Sequence, residues 1–234
     1  MIYKLSNVAE REMIEEEFGL SFRYPNLYRP NPIINGFNET NLSIVTMANN
    51  AEITFAIWGL MPQDFEEEWA QFQDKANTLN VPIQDLEQIH WMKESFTERR
   101  CLIIVTGFYT HMVQKGKTHS FYLHQPSNRP FLLAGTYNIL EDGFRCAALI
   151  TDTMDSFISN YHDLSHLAPI IIPKENAETW LAKSSSTKDL KKIMEAPTKI
   201  ELKAEQLSSD FFEHYIASQN TPSPERFEKL MSNS

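Results

Sequence analysis

The 234-residue chain is 42% hydrophobic with only 7 glycines, enough apolar material for one sizeable core and too little Gly for a low-complexity chain. Its formal net charge of -10, from 31 acidic and 21 basic residues, has the wrong sign for a protein whose affinity comes mainly from neutralising phosphates. Cys101 and Cys146 sit in apolar runs that suggest buried, reduced thiols rather than a disulfide framework or a metal site, no leader pattern follows Met1, and no apolar run reaches the roughly 18 residues of a membrane span, so a cytoplasmic, membrane-free protein without metal or cofactor is expected.

Ser6 or Asn7 followed by Glu10 forms a capping signature, and Ile14 with Phe18 supplies an apolar stripe, predicting a helix over 7–18 that ends at Gly19. Pro25, Pro30 and Pro32 with the Asn35-Gly36 turn signal then suggest a surface-wrapping loop. LSIVTM (42–47) and ITFAIWGL (53–60) read as two strands. Phe65, Trp69, Phe72 and Ala76 repeat at helical spacing, and a second helix capped at Asp85 carries Leu86, Ile89 and Phe96 as far as Arg99 and Arg100.

The run RRCLIIV opens the next strand, Gly107 releases the backbone before Phe108 and Tyr109, and Lys115-Gly116-Lys117 is a hairpin turn. HSFYLHQ, RPFLLAGTYNIL and GFRCAALITD continue an antiparallel pattern, a density of strands that predicts a sheet curled into a barrel or sandwich. A short helix from about Asp155, an apolar strand over 168–172, terminal helices over 175–181 and 187–194 and a last strand near 199–203 complete an α+β reading with flanking helices. The expected organisation is one domain over 1–204 with a partly helical or frayed extension over 205–234, polar beyond about Pro222.

The order of RRCL, Gly107-Phe108-Tyr109, Trp58-Gly59-Leu60-Met61-Pro62, Ala134 to Tyr137 and Pro169 to Pro173 resembles the SRAP family, named for SOS-response-associated peptidases. The resemblance covers roughly residues 1–182. It implies an antiparallel SRAP-like fold and a role in the response to DNA damage. Members of that family link covalently to abasic sites in single-stranded DNA through an N-terminal cysteine, whose thiol and α-amine together trap a sugar aldehyde.

Here the pattern departs at the chemistry. The cysteine position is Ile2, which should also block removal of the initiator Met, and the acidic position after Tyr109 is Thr110, a hydroxyl that takes no proton near neutral pH. The family's Asn-Ala-Arg motif falls on Asn80-Val81-Pro82, so the Asn is kept and the Arg is lost. Counting back from Pro169 puts the family histidine beside His166, with His162 as its competitor if the loop has shifted. Lys4 keeps a charge where the family has Arg but loses the bidentate fork.

Asn80 and His166 are therefore the matching or near-matching catalytic positions, Ile2 and Thr110 the substituted ones, and Lys4, Trp58 and Asn80 the candidate DNA contacts, with Trp58 as a stacking platform. Cys101 in an apolar strand has too high a pKa to replace the missing nucleophile. The reading that follows is a monomeric SRAP-like pseudoenzyme. It would have lost crosslinking and autoproteolysis and bind single-stranded or abasic DNA weakly, or else reuse the cleft for a protein or small-molecule ligand.

Overall fold

The computed structural model describes residues 1–195 and 200–217. The first half contains β1 (Lys4–Asn7), α1 (Arg11–Phe18), β2 (Ser21–Phe22), β3 (Asn31–Asn35), β4 (Asn41–Thr46), β5 (Glu52–Trp58), α2 (Trp69–Ala76), β6 (Asn80–Pro82), α3 (Ile83–Gln88) and α4 (His90–Glu98). The second contains β7 (Arg100–Val105), β8 (Gly107–Gln114), β9 (Lys117–His124), β10 (Phe131–Ile139), β11 (Arg145–Thr153), α5 (Ser156–Ser159), β12 (Leu167–Pro169), β13 (Ile171–Ile172), α6 (Ala177–Leu181), α7 (Thr187–Met194), β14 (Lys203–Gln206) and α8 (Phe211–Ala217).

Strands β5, β4, β7, β10 and β11 pair in that order, and β11 pairs back onto β5 through Cys146 with Ile57 and Ala147 with Trp58. The sheet therefore closes into a five-stranded ring, the curled architecture the strand density predicts. Its apolar side chains, Ile44, Trp58, Leu102, Ile103, Leu133 and Ala148 among them, are almost wholly removed from solvent. The expected buried thiols are there too: both cysteines are free, and burial raises the pKa of Cys101 far above its usual value and pushes Cys146 up to about 11.

A second sheet, in the order β14-β9-β8-β1-β3, grows from the same chain run, since only Thr106 separates β7 from β8. Gly107 is required at this junction, because a Cβ there would lie 2.4 Å from the Tyr122 ring and 2.6 Å from the Leu123 carbonyl. The β8–β9 turn is the expected one, with Lys115 and Gly116 at φ 52 and 75.

Several local expectations give way to tertiary pairing. Residues 4–7 form a strand instead of a helix start: Leu5 and Ser6 pair with Phe108 and Gly107, Ser6 Oγ lies 3.3 Å from Thr106 Oγ1, and Asn7 donates to the Ile104 carbonyl, so neither residue caps a helix. The Pro- and Asn-rich passage contains strand β3, which tolerates Pro32 because it is the edge strand of its sheet. Helix α2 starts at Trp69, which leaves Phe65 outside it, and the next helix breaks at Ile89 into α3 and α4. The last strand is Lys203–Gln206, a few residues later than expected.

Packing also runs past residue 204. Leu207, Phe211 and Tyr215 are buried in a cluster with Ile33, Tyr109 and Tyr122, so α8 is part of the folded unit. The expected frayed stretch beyond Pro222 lies outside the described residues.

Candidate functional site

The start of β1 brings the first residues of the chain onto β6, onto β8 and onto the loop after α5. Ile2 is 1% exposed, and Asn80 grips its backbone from both sides: Asn80 Oδ1 accepts from the Ile2 N–H at 3.2 Å and Nδ2 donates to the Ile2 carbonyl at 2.6 Å. Asn80 is itself held by parallel pairing of β6 on β11, opposite Leu149.

His162, not His166, completes the group. His162 is buried, its Nε2 lies 3.3 Å from the Met1 α-amine, and its Nδ1 lies 3.1 Å from the His111 carbonyl. Nδ1 also lies 3.5 Å from the His111 N–H, but its approach to the carbonyl is shorter and a carbonyl only accepts, so we assign the hydrogen to Nδ1, which leaves the Nε2 lone pair facing the amine. The loop is pinned by its neighbour: both Asp163 carboxylate oxygens accept from the Val113 N–H, at 2.9 and 3.1 Å, and Asp163 N–H donates to the His111 carbonyl at 3.2 Å. His166 is exposed, four residues along, and contributes its carbonyl to Met154.

Burial sets the protonation states. It lowers the α-amine and the imidazole of His162, the latter aided by the charge of the amine. His111 is held down to about 4, chiefly by burial, with Lys4, His162 and the amine adding repulsion. The site therefore carries neutral imidazoles near pH 7, beside an amine that gives up its proton more readily than a free one. Lys4 is likewise lowered by burial, and its Nζ sits 5.0 Å from the centre of the Phe212 ring on α8.

Thr110 lies wholly buried on β8, next to His111, and its Oγ1 has no hydrogen-bond partner. Thr151 Oγ1, opposite Pro82 on β11, is unpartnered as well. Neither hydroxyl is arranged as an acid or base. Trp58 is fully buried, with Nε1 donating to the Leu79 carbonyl at 2.8 Å, so it presents no face on which a base could stack. Among the described residues no group of His, Cys, Asp or Glu could hold a metal ion.

Of the sequence-predicted positions, Ile2 and Asn80 are in direct contact and Thr110 adjoins the site through β8, while Trp58 and His166 stand apart from it. His111 carried no signal of its own in the sequence. A cleft of about 640 Å³ opens beside the group, walled by Lys4, Asn35, Asn38 and Phe212.

The model of the SOS response associated peptidase (SRAP) family matches residues 1–213. The chain belongs to the SRAP family. A comparison with curated protein sequences finds no match. Among solved structures, a protein from Bacteroides thetaiotaomicron is similar at 19% identity, covering 95% of each chain, with a TM-score of 0.81. A Bordetella bronchiseptica protein at 15% identity covers 88% of this chain and 99% of its own, with a TM-score of 0.72. A phage-related protein from the same organism, 17% identical, covers 88% and 94% with a TM-score of 0.62. At these identities the likeness is one of fold, and the α+β SRAP architecture is shared over nearly the whole chain.

Proposed function

We propose that this SRAP protein recognises single-stranded DNA, abasic sites included, without the stable thiol-dependent crosslink or the self-processing that the family resemblance implies. The observation that carries the reading is the seat of Ile2. A hydrocarbon side chain occupies the family's nucleophile position, 1% exposed, with its backbone locked on Asn80. No thiol stands beside an amine there, and the buried Thr110 supplies no proton donor or acceptor of suitable pKa.

What is kept suits binding. Asn80, His162 and the amine retain a polar, desolvated corner, and Lys4 puts a cation at the edge of the neighbouring cleft. The acidic chain and the loss of arginine at Lys4 and Pro82 make that binding weak and salt-sensitive.

Gel analysis of purified protein with intact and abasic single strands tests the reading. A mobility shift on native gels that fades with salt, and no adduct on denaturing gels, is the expected result. A robust denaturation-resistant adduct from the unaltered protein would refute it.

A further inference from the structure

Two clefts meet at Arg29. One is the cleft of about 640 Å³ beside Lys4, and the other, of about 600 Å³, is lined by Tyr24, Phe144 and Arg145 among others. Arg29, Asn31 and Thr40 line both, so the two clefts adjoin across these residues, with Lys4 lining the one and Phe144 the other.

The far cleft displays aromatic rings that the fold does not bury. Phe144 is 63% exposed at the tip of the β10–β11 hairpin, and Tyr24 is 45% exposed. Phe144 is held on a rigid turn: its N–H donates to Asp142 Oδ1 at 2.9 Å and its carbonyl accepts from Leu140 at 2.8 Å. The Arg23 guanidinium lies 5.3 Å from the Tyr24 ring. Arg29 is anchored by donation from Nη1 to the Asn26 and Tyr28 carbonyls, at 3.0 and 2.7 Å, which keeps its cation at the junction of the clefts. Asn7, which also lines the far cleft, retains a buried Oδ1 that meets no donor.

We infer that the far cleft is a nucleotide subsite of a single strand whose path begins over Lys4, with Tyr24 and Phe144 stacking bases and Arg29 and Arg145 meeting phosphates. The inference rests on the DNA reading above and adds to it a direction and a second set of contacts. Stacking, more than charge, supplies the energy in this cleft, because Glu39 and Asp142 adjoin lining residues and offset the arginines. Two adjoining open clefts fit a chain of nucleotides better than one small molecule, and a mononucleotide serves as the control.

The test is fluorescence anisotropy with oligothymidylates of about 4 to 16 nucleotides, together with a thymidine monophosphate control and photocrosslinking by 5-iododeoxyuridine-containing strands. Affinity is expected to rise with length and then level off. Phe144→Ala and Tyr24→Ala should each weaken the longest strand about 5- to 150-fold while sparing the shortest, and photoadducts should map to Tyr24 or Phe144. Both rings are exposed, so their removal leaves the core intact.

If Lys4→Ala weakens every strand but neither aromatic variant does, the strand does not enter the far cleft and the subsite is overturned while the DNA reading stands. If thymidine monophosphate binds as tightly as the longest strand, the cleft is a mononucleotide site and the path is overturned. If no strand binds the unaltered protein at any salt, the DNA reading fails and the subsite with it.

Discussion

Asn80 satisfies both backbone groups of Ile2, accepting from its N–H at 3.2 Å and donating to its carbonyl at 2.6 Å, so one side chain fixes the segment that leads into β1. Asn80→Ala would leave both Ile2 groups buried and unpaired, each at a cost of about 1–3 kcal/mol. Asn80→Asp keeps the acceptor but sets a carboxylate against the Ile2 carbonyl. Urea unfolding should show both variants losing stability at unchanged slope, and a midpoint within error of the parent in either would disprove the clamp.

Thr110 presents the opposite case. Its Oγ1 is buried without a partner, so the hydroxyl carries the desolvation penalty and returns nothing. Thr110→Val keeps the shape and removes the orphan, and should leave the protein as stable or about 1 kcal/mol more stable. Thr78 provides the contrast, since its Oγ1 donates to the Leu60 carbonyl and accepts from Gln73 Nε2 at 2.9 Å. Thr78→Val should lower the melting temperature, and equal effects of the two variants would contradict this account.

The ring of strands was legible because its members alternate or run apolar over β4, β5, β7, β10 and β11, and burial on a sheet leaves that mark in the sequence. Strands β1, β3 and β6 were not legible. Each is short and polar or proline-bearing, and each exists because a neighbour pairs with it: β8 with Leu5, β1 with Ile34, and β11 with Asn80. The site shared that fate. Ile2, Asn80 and Thr110 stood out by motif order, but His162 replaces His166 because the Asp163–Val113 contacts set where the loop meets β8, and spacing from Pro169 says nothing of that. Trp58 looked like a platform because a tryptophan at a strand end looks the same in sequence whether it faces the core or the solvent.

Stability should fall with acidification in a window set by the histidines. Burial lowers the folded-state pKa of His111 to about 4 and that of His162 below its ordinary value, so as pH drops below about 6.5 the unfolded chain takes up protons that the folded chain refuses. The penalty grows until the folded state protonates, near pH 4 for His111. Paired carboxylates such as Glu98 add a loss of the same sign, but only below their own range. His111→Gln should therefore flatten the decline in melting temperature from pH 7 down to about 4, leaving the carboxylate contribution in place. An unchanged profile would remove His111 from the explanation.

Lys4 separates charge from fold. Its ammonium stands over the Phe212 ring at the edge of the cleft, partly desolvated, where a phosphate could meet it. If one phosphate docks there, Lys4→Ala should weaken single-strand binding across sequences and reduce the salt slope by about one. Lys4→Arg should restore the slope. Titration of both variants across a salt series checks this, and identical slopes for Lys4→Ala and the parent would place the phosphates elsewhere.

Restoring the nucleophile alone should not restore the chemistry. Ile2→Cys supplies a thiol and, being small, favours removal of the preceding methionine, so thiol and amine would again share one residue. The surroundings still differ. The buried Thr110 moves no proton near neutral pH, Pro82 gives no cation for the phosphate, and loss of Met1 takes away the amine that now faces His162 Nε2 at 3.3 Å. The desolvated seat in which Ile2 is buried also favours the thiol over the thiolate, which slows attack on an aldehyde. Intact mass should confirm the processed terminus, and denaturing gels after incubation with abasic single-stranded DNA should then show at most a trace of adduct. Abundant adduct from Ile2→Cys alone would mean that Thr110 and Pro82 are compatible with catalysis and that Ile2 is the sole lesion.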